Sequence, residues 1–289
     1  MYTPILNNSI ILDCRPLEQF LQSRAKDSAH ICSSELFQRM HELPRTDESF
    51  IVICTLETIK NCQTFFTDKH YSNISYIIWN QVVVNTLESI RRIDNNKLNE
   101  ITQPYALWQP ASFIKDFVNQ YSKKFNIEPS TGLDIACGSG RDLVYLAKHG
   151  WDMIGMDYNE GSLTRCQDLA KRYQVDVRCQ HIDLEKDELN FETHIPANTL
   201  GLISVFRYLH RPLLHTIRNS LKPGGVVLYQ TFMQGCELIS RPKNPRFLLA
   251  DQELAEVFSP EHGFEILINE VHYLHDKRPV SYFLARKLT

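Results

Sequence analysis

The sequence predicts an α/β protein made of a small parallel-sheet domain followed by a larger, doubly wound one. Three observations carry that prediction. Short apolar, β-branched runs alternate with helical stretches along the chain. Several of those runs are apolar throughout, as strands covered on both faces should be. A glycine turn at 138–140 stands between a strand and a helix. The length agrees, since 289 residues is about twice a typical domain.

In the front part, 9–15 (SIILDCR), 50–54 (FIVIC) and 75–79 (SYIIW) read as strands. Helices are expected from Pro16 to Gln22, from Ser34 to Glu42 (Leu36, Phe37 and Met40 at helical spacing) and over 58–68. From 85 to 110 the pattern weakens into a polar, asparagine-rich stretch, and Pro104 and Pro110 bracket Tyr105 and Trp108. The expected division is a front domain over 1–85, a linker over 86–104 and a rear domain over 105–289. The rear domain alternates strands at 131–136, 151–157, 175–180, 199–206 and 225–232 with helices at 140–149, 161–173, 211–220 and 251–258. Two final strands, FEILINEV and VSYFLAR, suggest an antiparallel end to the sheet.

Composition narrows the function classes. With 43% hydrophobic and 22% charged residues, the chain is an ordinary globular one. A net charge of -3, unpolarised between the two parts, leaves no excess of cations to hold nucleic acid. No apolar run approaches the ~18 residues of a membrane span. The first residues lack a basic leader, so the expected location is the cytoplasm. Eight cysteines without a CxxC pair point to reduced thiols and to no metal site.

The most informative stretch is LDIACGSGRD, residues 133–142. Gly138 and Gly140 let backbone approach a ligand closely, and the N–H groups of the following helix favour a polar or anionic group. A dinucleotide fingerprint would place a third glycine at 143, where the chain has leucine. Asp134 sits inside the strand. Both features favour a carboxylate-bearing nucleoside over a pyrophosphate. Asp157 ends the second strand, where a carboxylate can accept from both ribose hydroxyls. Asp183 follows the third, placed to accept from an adenine amine. The plain alternative makes both acids solvated helix caps.

LDIACGSGRD, GMDYN, HIDLE and LKPGG together resemble the class I S-adenosylmethionine-dependent methyltransferases, over about 105–289. That resemblance implies a Rossmann-like fold with S-adenosylmethionine as cofactor. It implies the glycine loop with Gly138 and Gly140 at the methionine part, Asp157 at the ribose and Asp183 and Leu184 at the adenine, with Asp134, Ala136, Arg141, Tyr158 and Val205 as further cofactor-binding residues. The GSGR variant is similar to tellurite-resistance and thiopurine-type methyltransferases, in which the arginine reaches the cofactor carboxylate. Ala136 stands where many members have glycine.

Methyl transfer is an in-line displacement in which positioning supplies much of the rate. Residues after the fourth strand, Arg207, Tyr208 and His210, are candidates for catalysis, with His210 either a base or a structural histidine. After the fifth strand, Arg241, Lys243, Asn244 and Arg246 either bind an anionic substrate or pair with the acidic helix at 252–256. Tyr105 and Trp108 either close over the cofactor or pack the arm, and Trp108 is carried as a substrate-binding candidate.

In the front part, ILDCRPLEQF, AHICSSELF and IVIC resemble a rhodanese-like domain. Asp13 and Arg15 match its acid–arginine pattern, His30 its histidine motif, and Cys54 its persulfide position. The loop after Cys54, TLETIKNC, offers no arginine and places Glu57 nearby, which disfavours a thiolate. The expected function is a small-molecule methyltransferase acting on a thiol or another soft or anionic nucleophile, with an accessory rhodanese-like domain. Two alternatives stand beside it: a sulfurtransferase using Cys54, and a non-catalytic sensor that binds S-adenosylmethionine.

Overall fold

A computed structural model of the chain describes residues 9–95, 105–186, 194 and 197–289. The opening residues read above for a leader, and 96–104 of the expected linker, lie outside them. The chain divides into two units, Met1–Gln109 and Pro110–Thr289.

The front unit is organised by two central strands, β1 (Ile10–Asp13) and β4 (Phe50–Cys54), whose apolar residues are buried because each strand is covered on both faces. Short β3 (Ser28–His30) and the more exposed β5 (Ile74–Ile78) complete an all-parallel sheet in the order β3-β1-β4-β5. Helices Leu17–Gln22 and Ile59–Asp68 follow β1 and β4, as the sequence suggests.

Two sequence expectations need correction here. Residues 34–42 form a string of turns ending in a 3-10 helix at Met40–Glu42, rather than one helix. Of the three apolar residues at helical spacing only Leu36 reaches the core, while Phe37 is 72% exposed. Arg39 draws Glu35 and Glu42 together at 3.0 and 2.7 Å, and these ion pairs hold the turns. The front unit also runs past residue 85. Helix Gln81–Ser89, capped by the Asn80 side chain, spans that position. Beyond it β6 (Ile93–Asp94) pairs with β2 (Arg24–Ala25), reinforced by an Arg24–Asp94 ion pair.

Below the ends of β1 and β4 lies a thiol cluster, Cys14, Cys54 and Cys62, all fully buried in the apolar core. Beside it a buried ion pair joins Asp13 to Arg15, whose Nη2 donates at 2.7 Å to the carboxylate and at 2.7 Å to the Ser23 carbonyl. The guanidinium also stacks over Trp79 at 3.8 Å.

The rear unit opens with a helical arm, Ser112–Asp116, continued by a π turn at Phe117–Tyr121 and by Ser122–Lys124. A seven-stranded sheet follows, in the order β12-β13-β11-β10-β7-β8-β9. Its strands are β7 (Thr131–Ile135), β8 (Asp152–Asp157), β9 (Val177–His181), β10 (Leu200–Phe206), β11 (Leu221–Gln230), β12 (Phe264–Tyr273) and β13 (Pro279–Lys287). The five from β7 to β11 are parallel, and β12 and β13 form the antiparallel end. Chain order runs outward from β7 to β9 in one direction and from β10 to β11 in the other, where β13 then inserts between β11 and the edge strand β12. The carboxyl ends of β7 and β10 therefore flank the switch point, where open α/β sheets hold ligands. Among the described residues no helix is long and apolar enough to cross a membrane.

Candidate functional site

The loop after β7 is built for close approach. Gly138 has φ +55°, and a Cβ added there would meet nothing within 4 Å, so the loop faces open space. Gly140 has φ +79° and caps the helix Arg141–Lys148; a Cβ there would lie 2.2 Å from the Cys166 sulfur. Thus one glycine is required by the space in front of the loop and the other by the helix behind it. Ser139 between them accepts a hydrogen bond from Arg165 Nε at 3.1 Å, a contact the sequence did not reveal. Arg141 makes no ion pair or hydrogen bond through its side chain among the described residues and is half-buried at the helix start.

Ala136 also lies in the left-handed region, at φ +56°. An alanine there costs about 1–2 kcal/mol relative to its normal conformations. Ala136→Gly is therefore expected to stabilise the rear unit by about 1 kcal/mol after the glycine's own entropy loss. In a thermal melt that is a rise of about 2–4 °C for a domain of this size.

Asp157 organises the loop as well as facing it. Its Oδ2 accepts from the Gly138 N–H at 2.9 Å, and its Oδ1 from the Asn159 N–H at 2.8 Å. Asn159 in turn caps the helix Glu160–Arg172 through its side chain. Each carboxylate oxygen keeps a second lone pair for a ligand hydroxyl. Asp134 is buried in β7 and accepts from Ser204 Oγ at 2.8 Å across the β7–β10 pairing. Burial, with the nearby Asp142 charge, pushes its carboxyl well up. Tyr158 is 68% exposed, whereas Leu184 and Val205 are buried core residues, so any ligand contact at those two falls to the backbone or to the edge of the side chain. Asp183 pairs with Lys186 at 3.0 Å, and this hydrogen bond first, with the Glu185 N–H, holds its carboxyl below the usual range.

Tyr208 is the meeting point of the carboxyl edge. Burial first, then the charges of Glu185 and Asp183, push its phenol up, and Asp157 and Arg246 act on it more weakly. It is accordingly a protonated hydroxyl at neutral pH, a donor rather than a base. Its backbone carbonyl accepts from Tyr229 Oη at 3.0 Å. Arg207, at φ +57°, donates its N–H to the Gln230 carbonyl at 2.8 Å and so joins the ends of β10 and β11. His210 is buried, and its carbonyl accepts from the Leu213 N–H at the entrance to the helix Leu213–Ser220.

The basic run after β11 does not behave as one unit. Arg246 pairs with Glu185 at 2.9 Å, reaching from the loop after β11 to the loop after β9 across the edge of the sheet. The pairing with the acidic helix, considered for this run, is made instead by Arg211, which binds Glu253 at 2.6 Å and the carbonyls of Arg246 and Leu248 at 2.9 Å each. Asn244 is a local cap, accepting from the Arg246 N–H at 3.0 Å. Arg241 makes no ion pair among the described residues.

Two candidates from the sequence fall in the front unit. Trp108 is buried there. Cys54 is fully buried rather than presented to solvent, and its hydrogen bond to Cys62, together with burial, pushes the thiol up. The N–H groups of Thr55 and Thr58 are spent on each other's hydroxyls at 3.0 and 3.2 Å, which leaves them no role as an anion cradle. A buried thiol pushed up is the opposite of the accessible, lowered one that a sulfur carrier uses.

A glycine loop that opens onto space at the switch point, tied to an acid at the end of the next strand, defines a nucleoside-binding α/β enzyme, and its residues fit S-adenosylmethionine. Residues 133–225 match the model of a methyltransferase domain family. The rear unit carries a methyltransferase domain, and the protein is an S-adenosylmethionine-dependent methyltransferase with S-adenosylmethionine as cofactor.

Relatives extend over different parts of the chain. An uncharacterised protein of Schizosaccharomyces pombe is 21% identical over 96% of this chain and 93% of its own length. The probable S-adenosyl-L-methionine-dependent methyltransferase TehB of Haemophilus influenzae is 24% identical over 58% of this chain, which spans 65% of that relative. A ubiquinone biosynthesis O-methyltransferase of Coxiella burnetii is 24% identical over 50% of this chain and 63% of its own length. The crystal structure of Haemophilus influenzae TehB matches 60% of this chain and 67% of its own at 23% identity, with a TM-score of 0.46.

Proposed function

We propose that the protein methylates a small-molecule nucleophile at the carboxyl edge of the rear sheet, with the front unit a rhodanese-like accessory domain that does not carry sulfur on Cys54. The observation that carries the reading is the Asp157 carboxylate bonded to Gly138 beside open space. One charged group thereby fixes the loop and faces the ligand.

S-adenosylmethionine supplies a methyl group on a sulfonium. The chain's residues bind and orient. Asp157 accepts from ribose hydroxyls. Gly138 would admit the methionine part at the open face of the loop, Gly140 holds the helix start behind it, and Arg141, which makes no ion pair among the described residues, would supply the cation for its carboxylate. Asp183, with the backbone at Leu184 and Val205, would line the adenine end, and the exposed Tyr158 beside Asp157 would add a ring to the nucleoside side. Arg207 and Tyr208 close the acceptor side, with Tyr208 donating its hydroxyl proton in a hydrogen bond. His210, buried at a helix entrance, positions that turn. With the cofactor bound, the acceptor's electron pair would take the methyl carbon as the carbon–sulfur bond breaks, the sulfur leaving as a neutral thioether, and these residues would hold the acceptor in line for it. An acceptor that enters protonated loses that proton to solvent.

The order of the front sheet and the Asp13–Arg15 pair, with His30 Nε2 at 2.8 Å from the Arg15 carbonyl, support the rhodanese-like reading of that unit. Burial of Cys54 weighs against the sulfurtransferase alternative.

Titration calorimetry with S-adenosylhomocysteine tests the site. Wild type should bind, and Asp157→Ala should lose about a hundredfold in affinity, about 2.8 kcal/mol, the worth of one or two charge-assisted hydrogen bonds. Unchanged affinity in the variant would remove the basis for the proposal. Labelled S-adenosylmethionine offered with a panel of thiols, phenols and carboxylic acids then reads the acceptor class.

A further inference from the structure

Beside the nucleoside site, at the same edge of the rear sheet, lies a basin of about 500 Å³ lined by Phe232, Arg241, Lys243, Asn244, Phe247 and Arg278. Its volume is that of a small-molecule site. Phe232 follows β11 by two residues and Arg278 precedes β13, so the basin opens at the carboxyl end of β11. Only β10 separates β11 from β7, which puts the basin about 10 Å along the sheet from the glycine loop.

The chemistry of the basin is uneven in a specific way. Arg278 is satisfied, held by Asp276 at 2.8 Å and stacked over the Phe232 ring at 4.7 Å. Its role is to lay a flat wall. Arg241 and Lys243 are exposed and make no ion pair among the described residues, although Arg246 nearby is taken up by Glu185. Phe247 is 40% exposed, and the Arg246 guanidinium lies over its ring at 5.9 Å, which leaves the opposite face for a ligand. Two unspent cations beside two aromatic rings suit a ligand that is both anionic and flat. A carboxylate on Arg241 and Lys243 and a ring against Phe232 and Phe247 would satisfy both features at once.

Resting on the methyltransferase reading above, we infer that the methyl acceptor is an aryl carboxylate held in this basin. The anion anchors at Arg241 and Lys243, the ring lies between Phe232 and Phe247, and a nucleophilic substituent on the ring faces the neighbouring cofactor site. Phe232, Phe247 and Arg278 thereby become specificity determinants.

The test is calorimetry on the full chain saturated with S-adenosylhomocysteine, using 2-naphthoate as probe. Naphthoate is expected to bind at least tenfold more tightly than neutral 2-naphthalenemethanol, and acetate is expected not to bind at the same concentration. The double variant Arg241→Gln/Lys243→Gln should lose naphthoate affinity at least tenfold and abolish its advantage over the alcohol. Phe247→Ala should weaken both aryl ligands together. S-adenosylhomocysteine affinity should stay within twofold in every variant, which separates the two readings. If S-adenosylhomocysteine binds and naphthoate does not, or naphthoate binds no better than the alcohol, the aryl carboxylate inference fails alone. If S-adenosylhomocysteine itself does not bind, the cofactor site fails.

Discussion

Alanine at Gly140 is expected to cost the rear unit about 2–5 kcal/mol, whereas alanine at Gly138 should cost about 1 and instead destroy ligand binding. The two glycines share a loop and a positive φ, so backbone strain alone predicts similar effects. Their surroundings separate them. At Gly140 the new methyl would sit 2.2 Å from the Cys166 sulfur and 3.2 Å from that residue's Cα, and the helix Glu160–Arg172 would have to move. At Gly138 the methyl would project into empty space, the space a ligand needs. Urea denaturation of the two variants, each paired with S-adenosylhomocysteine titration, reads both quantities. Cys166→Ala should recover part of the stability lost in Gly140→Ala and none of the binding lost in Gly138→Ala. Equal destabilisation by the two alanines would show that the packing behind the loop is not what requires glycine at 140.

Breaking the Asp13–Arg15 pair is the second large expectation. Arg15 is 1% exposed and Asp13 fully buried, so Arg15→Met leaves a carboxylate in the front core with only backbone donors. Removing one partner of such a pair costs about 3–5 kcal/mol, while replacing both with apolar residues is often nearly neutral. The double variant Asp13→Leu/Arg15→Met should therefore recover most of the loss seen in Arg15→Met. Trp79, directly under the guanidinium, gives a local fluorescence signal for the transition. A single variant as stable as wild type would mean that the pair contributes nothing to the front unit.

What the sequence made legible shares one property: it is local. Gly138, Gly140 and Asp157 each sit at the end of an apolar strand, and a strand end followed by glycine or an acid is visible within ten residues. The strands themselves were readable because burial on both faces leaves an unbroken apolar run. Misreading of 34–42 came from the same source, since helical spacing of Leu36, Phe37 and Met40 does not reveal that only one of them has a core to face. The contacts that shape the substrate side are the non-local ones. Arg246 meets Glu185 over 61 residues of chain, and Arg278 reaches the Arg241 carbonyl over 37. Nothing in either local sequence marks its partner, and the difference between a spent arginine and a free one exists only after folding. Burial of Cys54 was legible from its apolar strand, but the thiol neighbours that meet it there, Cys14 just past β1 and Cys62 on the helix beyond, were not.

The Arg246–Glu185 bridge has a consequence for traffic. It strings a tether over the mouth from one bank to the other, and both its ends are wet. A solvent-exposed tie of this kind is worth at most about 1 kcal/mol, so it would stand unfastened at least about one time in six. Such a catch slows departure without barring arrival, and it slackens as ions are added. Turnover limited by product escape would then quicken with ionic strength, while turnover limited by bond-making would not.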